Sequence, residues 1–89
     1  MPELEYSERF AEDLAMVTSA RVEERIFRVL DDIEVFDGLG SRDVPRSINE
    51  RFGGGVRKVT VNPFDLVYTF YPQIDLVRVE ALVHQRTAW

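Results

Sequence analysis

Cysteine is absent from the 89-residue chain, which excludes a disulfide framework, a thiolate metal centre and a cysteine nucleophile together. A reducing compartment, the cytoplasm, is the expected home. The chain holds a single histidine, and "HQR" at 84 to 86 offers only one nitrogen ligand, so neither a metal nor another cofactor is expected. No apolar run approaches the ~20 residues needed to span a bilayer, and "MPELEYSERF" lacks the basic and apolar regions of a leader, so no membrane association is expected. Repeats, low-complexity tracts and linkers are also missing, which makes residues 1–89 one domain. A core this small is only marginally stable without a partner, and a homodimer is one way to supply it.

Basic residues are in deficit as well. The net charge is −5, which argues against a general nucleic-acid coat protein, because phosphate binding depends on Lys and Arg displacing counterions. The average conceals an asymmetry: residues 1 to 40 carry 11 acids and 4 bases, residues 41 to 89 carry 5 acids and 7 bases. The second half, at +2 against −7, is where an anion is expected to bind.

"LEY" at 4 to 6 suits a short edge strand. Ser7 is placed to cap a helix over about 8 to 17, with Glu8 in its first turn, Phe10, Leu14 and Val17 on one stripe, and Arg9 and Asp13 paired on the exposed side. "TSA" interrupts the pattern, and Ser19 can cap a second helix. Val22, Ile26, Val29, Leu30, Ile33 and Phe36 keep the helical period until Gly38 stops it. Residues 39 to 55, with "GGG" at 53 to 55, show no dominant period. "GGG" lacks the Lys-Ser/Thr of a phosphate loop and suits a flexible turn better. From Gly55 onward the period is two: "VRKVTV", the turn "NP", "FDLVYTFY", the turn "PQID", then "LVRVEALVHQ". The expected fold is α+β, a helical hairpin packed on one face of a small antiparallel sheet in the order β-α-α-β-β-β.

Strand parity divides these residues into two sets. Val77, Val79, Ala81 and Val83, with Phe64, Leu66, Tyr68, Phe70, Val59 and Val61, are expected to face the helices. Lys58, Thr60, Asp65, Thr69, Arg78, Glu80, His84 and Arg86 are then gathered on the other face. Cross-strand ion pairs such as Arg78 with Asp65, or Lys58 with Glu80, would make that face an ordinary solvated one.

The order of elements, with "YSERFAEDL", "VRKVTVNPFDLVYTFYP" and "VRVEALVHQR", resembles the RelE/ParE superfamily of bacterial type II toxin-antitoxin modules over nearly the whole chain. The resemblance implies a toxin neutralised by a cognate antitoxin. RelE-like members cut messenger RNA on the ribosome with basic residues of the open sheet face; ParE-like members inhibit DNA gyrase. Carried over by position, Lys58 and Arg86 match basic sites of the nuclease branch, and His84 lies where several members place a histidine. Arg57 and Arg78 would add contacts to substrate or target.

Metal-free RNA cleavage needs a base for the 2′-hydroxyl, cations for the phosphate and an acid for the leaving oxygen. His84 is suited to base or acid, Arg86 to bidentate phosphate binding, and Lys58 or Arg78 to added charge. Three departures weigh against this. Asp65 stands where the family's middle strand commonly carries Arg, Lys58 is the sole lysine, and the sequence ends three residues after Arg86, short of a tyrosine that some nucleases carry there. The expectation is therefore a toxin acting by protein binding on gyrase. The alternatives are a ribosome-dependent endoribonuclease using Lys58, His84 and Arg86, and a non-toxic member that retains only antitoxin binding.

Overall fold

The computed structural model describes residues 2–35 and 55–86, which form β1 (Glu3–Tyr6), α1 (Glu8–Ala15), α2 (Ala20–Val35), β2 (Val56–Val61), β3 (Phe64–Tyr71) and β4 (Leu76–His84). Gly38, Phe36, Trp89 and most of the unassigned stretch before Gly55 lie outside the described residues.

Both expected caps are present. Ser7 Oγ accepts from the Phe10 amide at 3.0 Å, and Ser19 Oγ from that of Val22 at 3.3 Å. The first helix ends two residues earlier than its apolar stripe suggests, because the amide of Met16 turns back to the carbonyls of Asp13 and Leu14. Arg9 pairs with Asp13 at 3.5 Å and Glu24 with Arg28 at 3.6 Å, each across one helical turn.

The strands order as β1-β4-β3-β2. The three C-terminal strands form the expected antiparallel meander, but β1 pairs parallel to β4, with Glu3 opposite Leu76 and Tyr6 opposite Val79, so the sheet is mixed. A chain that enters the sheet from its first residues and reaches β4 through an intervening meander is free to pair in either direction. Short-range pattern does not fix which.

Both helices lie on one side of the sheet. Phe10, Ile26, Leu30 and Ile33 pack there against Val61, Leu66, Tyr68, Val77, Val79 and Leu82. Unbroken alternation from Arg78 and Glu80 would put Leu82 on the opposite face, and a bulge explains why it does not lie there. Tyr68 faces Val79, whereas its neighbour Val67 faces Ala81, leaving Glu80 as one extra residue in β4. Past Glu80 every side chain of the strand changes face. Leu82 turns in to the helices, while Ala81 and Val83 join Val56 and Val67 in a second buried cluster drawn, among the described residues, from strands alone.

Side chains of α1 meet the backbone groups that a bulge loosens. Ser7 Oγ donates to the Glu80 carbonyl at 2.6 Å, and the Leu82 amide donates to Asp13 Oδ2 at 3.0 Å. Ser7 thus caps the helix and pins the bulge with one hydroxyl.

Ser7→Ala, which removes a cap, and Asp13→Ala, which strands the buried Leu82 amide, are each expected to lower stability by about 1–2 kcal/mol in urea denaturation. Losses no larger than that of the exposed control Glu12→Ala would show that the sheet holds the bulge unaided.

Candidate functional site

The face turned away from the helices carries Lys58 and Thr60 on β2, Asp65, Val67 and Thr69 on β3, and Arg78, Ala81 and Val83 on β4. It is not the uniformly ionic, uncovered surface that unbroken alternation implies. Its centre is apolar and buried, and Asp65 and Thr69 are only 3% and 1% exposed. The Asp65 carboxylate accepts from Thr60 Oγ1 at 3.4 Å and from Gln85 Nε2 at 3.2 Å, which ties β2, β3 and the chain after β4 together. It is a joint between strands and presents no charge to a ligand.

Charge concentrates where β1 meets β4. Arg78 Nε donates to Glu80 Oε1 at 2.8 Å, and its Nη1 lies 3.7 Å from Glu5 on the neighbouring strand. Arg78 therefore pairs with Glu80 and Glu5, and not with Asp65. Burial holds the Glu80 carboxyl above the ordinary value; Arg78 offsets part of that, and Glu5 adds to it.

The bulge also decides where the other candidates go. His84 shares a face with Leu82 and stands edge-on to Phe64, ring centres 5.4 Å apart, on the helix side. Its place among the open-face residues is corrected accordingly. Lys58, on the open face, is three residues back along the sheet and two strands across, which sets the two backbones about 14 Å apart. Arg57 points the opposite way from Lys58 and lies 6.0 Å from the centre of the Phe70 ring. Arg86 is exposed in the turn after β4, and its amide donates to His84 Nδ1 at 3.1 Å.

The structure thus joins His84 to Arg86 and separates both from Lys58 and Arg78. A neutral imidazole whose Nδ1 accepts a bond carries its proton on Nε2, so His84 is held as a donor. The neighbour that sequence reading missed is Arg9, which lines a hollow of about 230 Å³ with Asp13, Met16, Phe64, Leu82 and His84. A second hollow, of about 240 Å³, shares Met16, Phe64 and His84 and continues along the α1–α2 connection. The only hint of this in the sequence is "ALV" at 81 to 83, three consecutive apolar residues that two-fold alternation cannot bury on one side. Among the described residues no group of three or more His, Asp or Glu is placed to hold a metal ion, and no helix is long and apolar enough to cross a membrane.

Because the folded-state value of Glu80 lies above its ordinary 4.5, folding takes up a proton between those two values. The stability owed to this group rises as pH falls through the raised value and levels off below pH 4.5. Glu80→Gln is therefore expected to compare best with the parent chain at pH 7 and progressively worse toward pH 4.5, read as the difference in melting temperature. The opposite trend would mean that the Arg78 pairing outweighs desolvation.

No protein-family model and no curated protein sequence matches the chain. Solved structures do. RelE in the intact RelBE toxin-antitoxin complex of E. coli superposes with a TM-score of 0.74 at 15% identity, over 94% of this chain and 96% of that one. The archaeal RelE–RelB complex from Pyrococcus horikoshii gives 0.73 at 11% identity over 98% of both chains. The E. coli DinJ–YafQ complex gives 0.66 at 18% identity, over 100% of this chain and 99% of its counterpart. At these identities the likeness is one of architecture, and the chain has the fold of the RelE and YafQ toxins.

Proposed function

We propose that this chain is the toxin of a type II toxin-antitoxin module, neutralised by a cognate antitoxin, and that it acts as a ribosome-dependent messenger RNA endoribonuclease. The observation that carries this reading is the end-to-end structural likeness to RelE and YafQ, each solved in complex with its antitoxin. That likeness favours the nuclease over the gyrase-binding reading that the charge balance suggests.

The geometry removes one objection to a nuclease. Asp65 is buried and bonded to Thr60 and Gln85, so it does not oppose a phosphate at the surface. The proposed chemistry centres on the end of β4. Arg86 binds the scissile phosphate with its exposed guanidinium, whose planar fork can donate to two phosphate oxygens at once. His84, its proton on Nε2, donates a hydrogen bond to a phosphate oxygen and stabilises the charge that gathers there. Arg9 adds positive charge from α1, tempered by its pairing with Asp13. Lys58, a sheet-width away, contacts the RNA backbone at a separate point, and Arg57 and Arg78 serve as further contacts. General-base and general-acid assistance would both come from groups of the RNA or the ribosome, since His84 is already committed as a hydrogen-bond donor.

Inducing the chain in a bacterial host is expected to arrest growth and cleave transcripts engaged on ribosomes. Arg86→Ala should reduce cleavage by about 100-fold, the scale on which loss of one transition-state donor is felt, with the melting temperature unchanged. Intact transcripts with altered plasmid supercoiling would return the assignment to gyrase binding. Undisturbed growth alongside antitoxin binding would identify a member that has lost its toxicity.

A further inference from the structure

Asp65 is a buried carboxylate at a position that an apolar residue could fill. Its neighbours on the same sheet face, Val67 on β3 and Val83 opposite it on β4, are apolar and buried. A valine at 65 would extend their cluster without taking a charge out of water. The position instead carries an acceptor, and both described donors reach the same oxygen: Thr60 Oγ1 from β2 at 3.4 Å and Gln85 Nε2 at 3.2 Å. Thr60 stands directly across the β2–β3 ladder, a contact that serves only the sheet. Gln85 is different, because it lies between His84 and Arg86.

Three bonds shape the turn that follows β4. The Gln85 amide donates to the Pro63 carbonyl at 2.9 Å, the Gln85 side chain to Asp65 at 3.2 Å, and the Arg86 amide to His84 Nδ1 at 3.1 Å. The first two tie one residue to two neighbouring points at the start of β3. A single bond is a pivot about which the chain can swing; two bonds to fixed points remove that rotation. Because Gln85 is exposed, packing contributes little to holding its side chain, and Asp65 is what keeps it on the open face of the sheet. With Gln85 held there, His84 stays on the other face beside Phe64, and the Arg86 amide comes back to the imidazole. Aspartate suits the task, since an ionised carboxylate only accepts: the Gln85 side chain must present its NH2, and the bond is charge-assisted.

We infer, resting on the nuclease reading above, that Asp65 is a positioning residue: through Gln85 it fixes the turn in which Arg86 meets the scissile phosphate and His84 presents its Nε2 proton. Asp65 itself touches no RNA. A joint that served the sheet alone would be complete with Thr60. The second bond, to Gln85, extends the rigidity of three paired strands into the residues just past the last of them.

The test compares Asp65→Val, Asp65→Asn and Gln85→Ala with the parent chain by melting temperature, by hydrogen exchange at the Arg86 and Leu30 amides, and by cleavage of messenger RNA on ribosomes. Asp65→Val removes a buried charge and is expected to keep or raise the melting temperature. In the same variant the Arg86 amide should exchange about 10-fold faster, while that of Leu30, within α2, is no faster. Cleavage should fall about 10-fold in Asp65→Val and in Gln85→Ala, and the double variant should be no slower than either. Asp65→Asn keeps an acceptor oxygen and should recover most of the activity. Gln85→Ala changes an exposed side chain and carries the test if Asp65→Val fails to fold. Unaltered Arg86 exchange and cleavage in Gln85→Ala, or an acceleration in Asp65→Val shared equally by Leu30, would make Asp65 a strand joint only and overturn the inference. Faster exchange at Arg86 in variants of a parent that cleaves no transcript would bring down the nuclease reading while upholding the hold of Asp65 on the turn.

Discussion

At Glu80 the last strand carries one more residue than the strand it pairs with, and Ser7 and Asp13 hold the backbone groups that the mismatch releases. The trade is favourable on simple grounds. Turning Leu82 inward places a large side chain in the helix-covered core while Ala81 and Val83 remain buried in the second cluster, and each bond from Ser7 and Asp13 adds about 1 kcal/mol. The cost is a local break in the ladder. Most of what distinguishes the two sheet faces follows: a second apolar cluster on the face turned from α1 and α2, a histidine beside α1, and a lysine left on the far side of the sheet from it.

What could be read in advance was what local chemistry decides. Ser7 and Ser19 cap helices because a hydroxyl ahead of an apolar helical stripe has few better uses. The turns at Asn62–Pro63 and Pro72–Asp75 sit between runs of alternating residues, and the meander came out at the expected boundaries. Ala81 and Val83, by contrast, extend the alternation of Val77 and Val79 without a visible break, so the change of face leaves only the apolar Leu82 between them as a trace in the one-dimensional pattern. The helix residues that stabilise it lie about 70 positions earlier in the sequence. The candidate site suffered for the same reason: Lys58 and His84 were grouped by a parity that holds only for an unbroken strand. The parallel pairing of β1, again a contact between distant residues, was equally hidden.

The charge asymmetry between the two halves of the sequence also has a spatial meaning. The acids of the first half are not spread evenly over the helices. On α2, Glu23, Asp31 and Glu34 lie on the flank beside Phe27 and the hollow it shares with Tyr6, Phe10 and Leu30, whereas Glu24 and Asp32 lie among Arg25 and Arg28 on the other flank. A net charge of −5 is thus compatible with a local gathering of arginine and histidine at the end of the last strand.

The parallel strand β1 has a consequence for timing. Its partner residues in β4 lie 73 positions away, as Ser7 does from Glu80, so the N-terminal strand finds no sheet to join until nearly the whole chain has left the peptidyl-transferase centre. A nascent polypeptide can wind its helices early but cannot close the sheet over them until its last strand has been made.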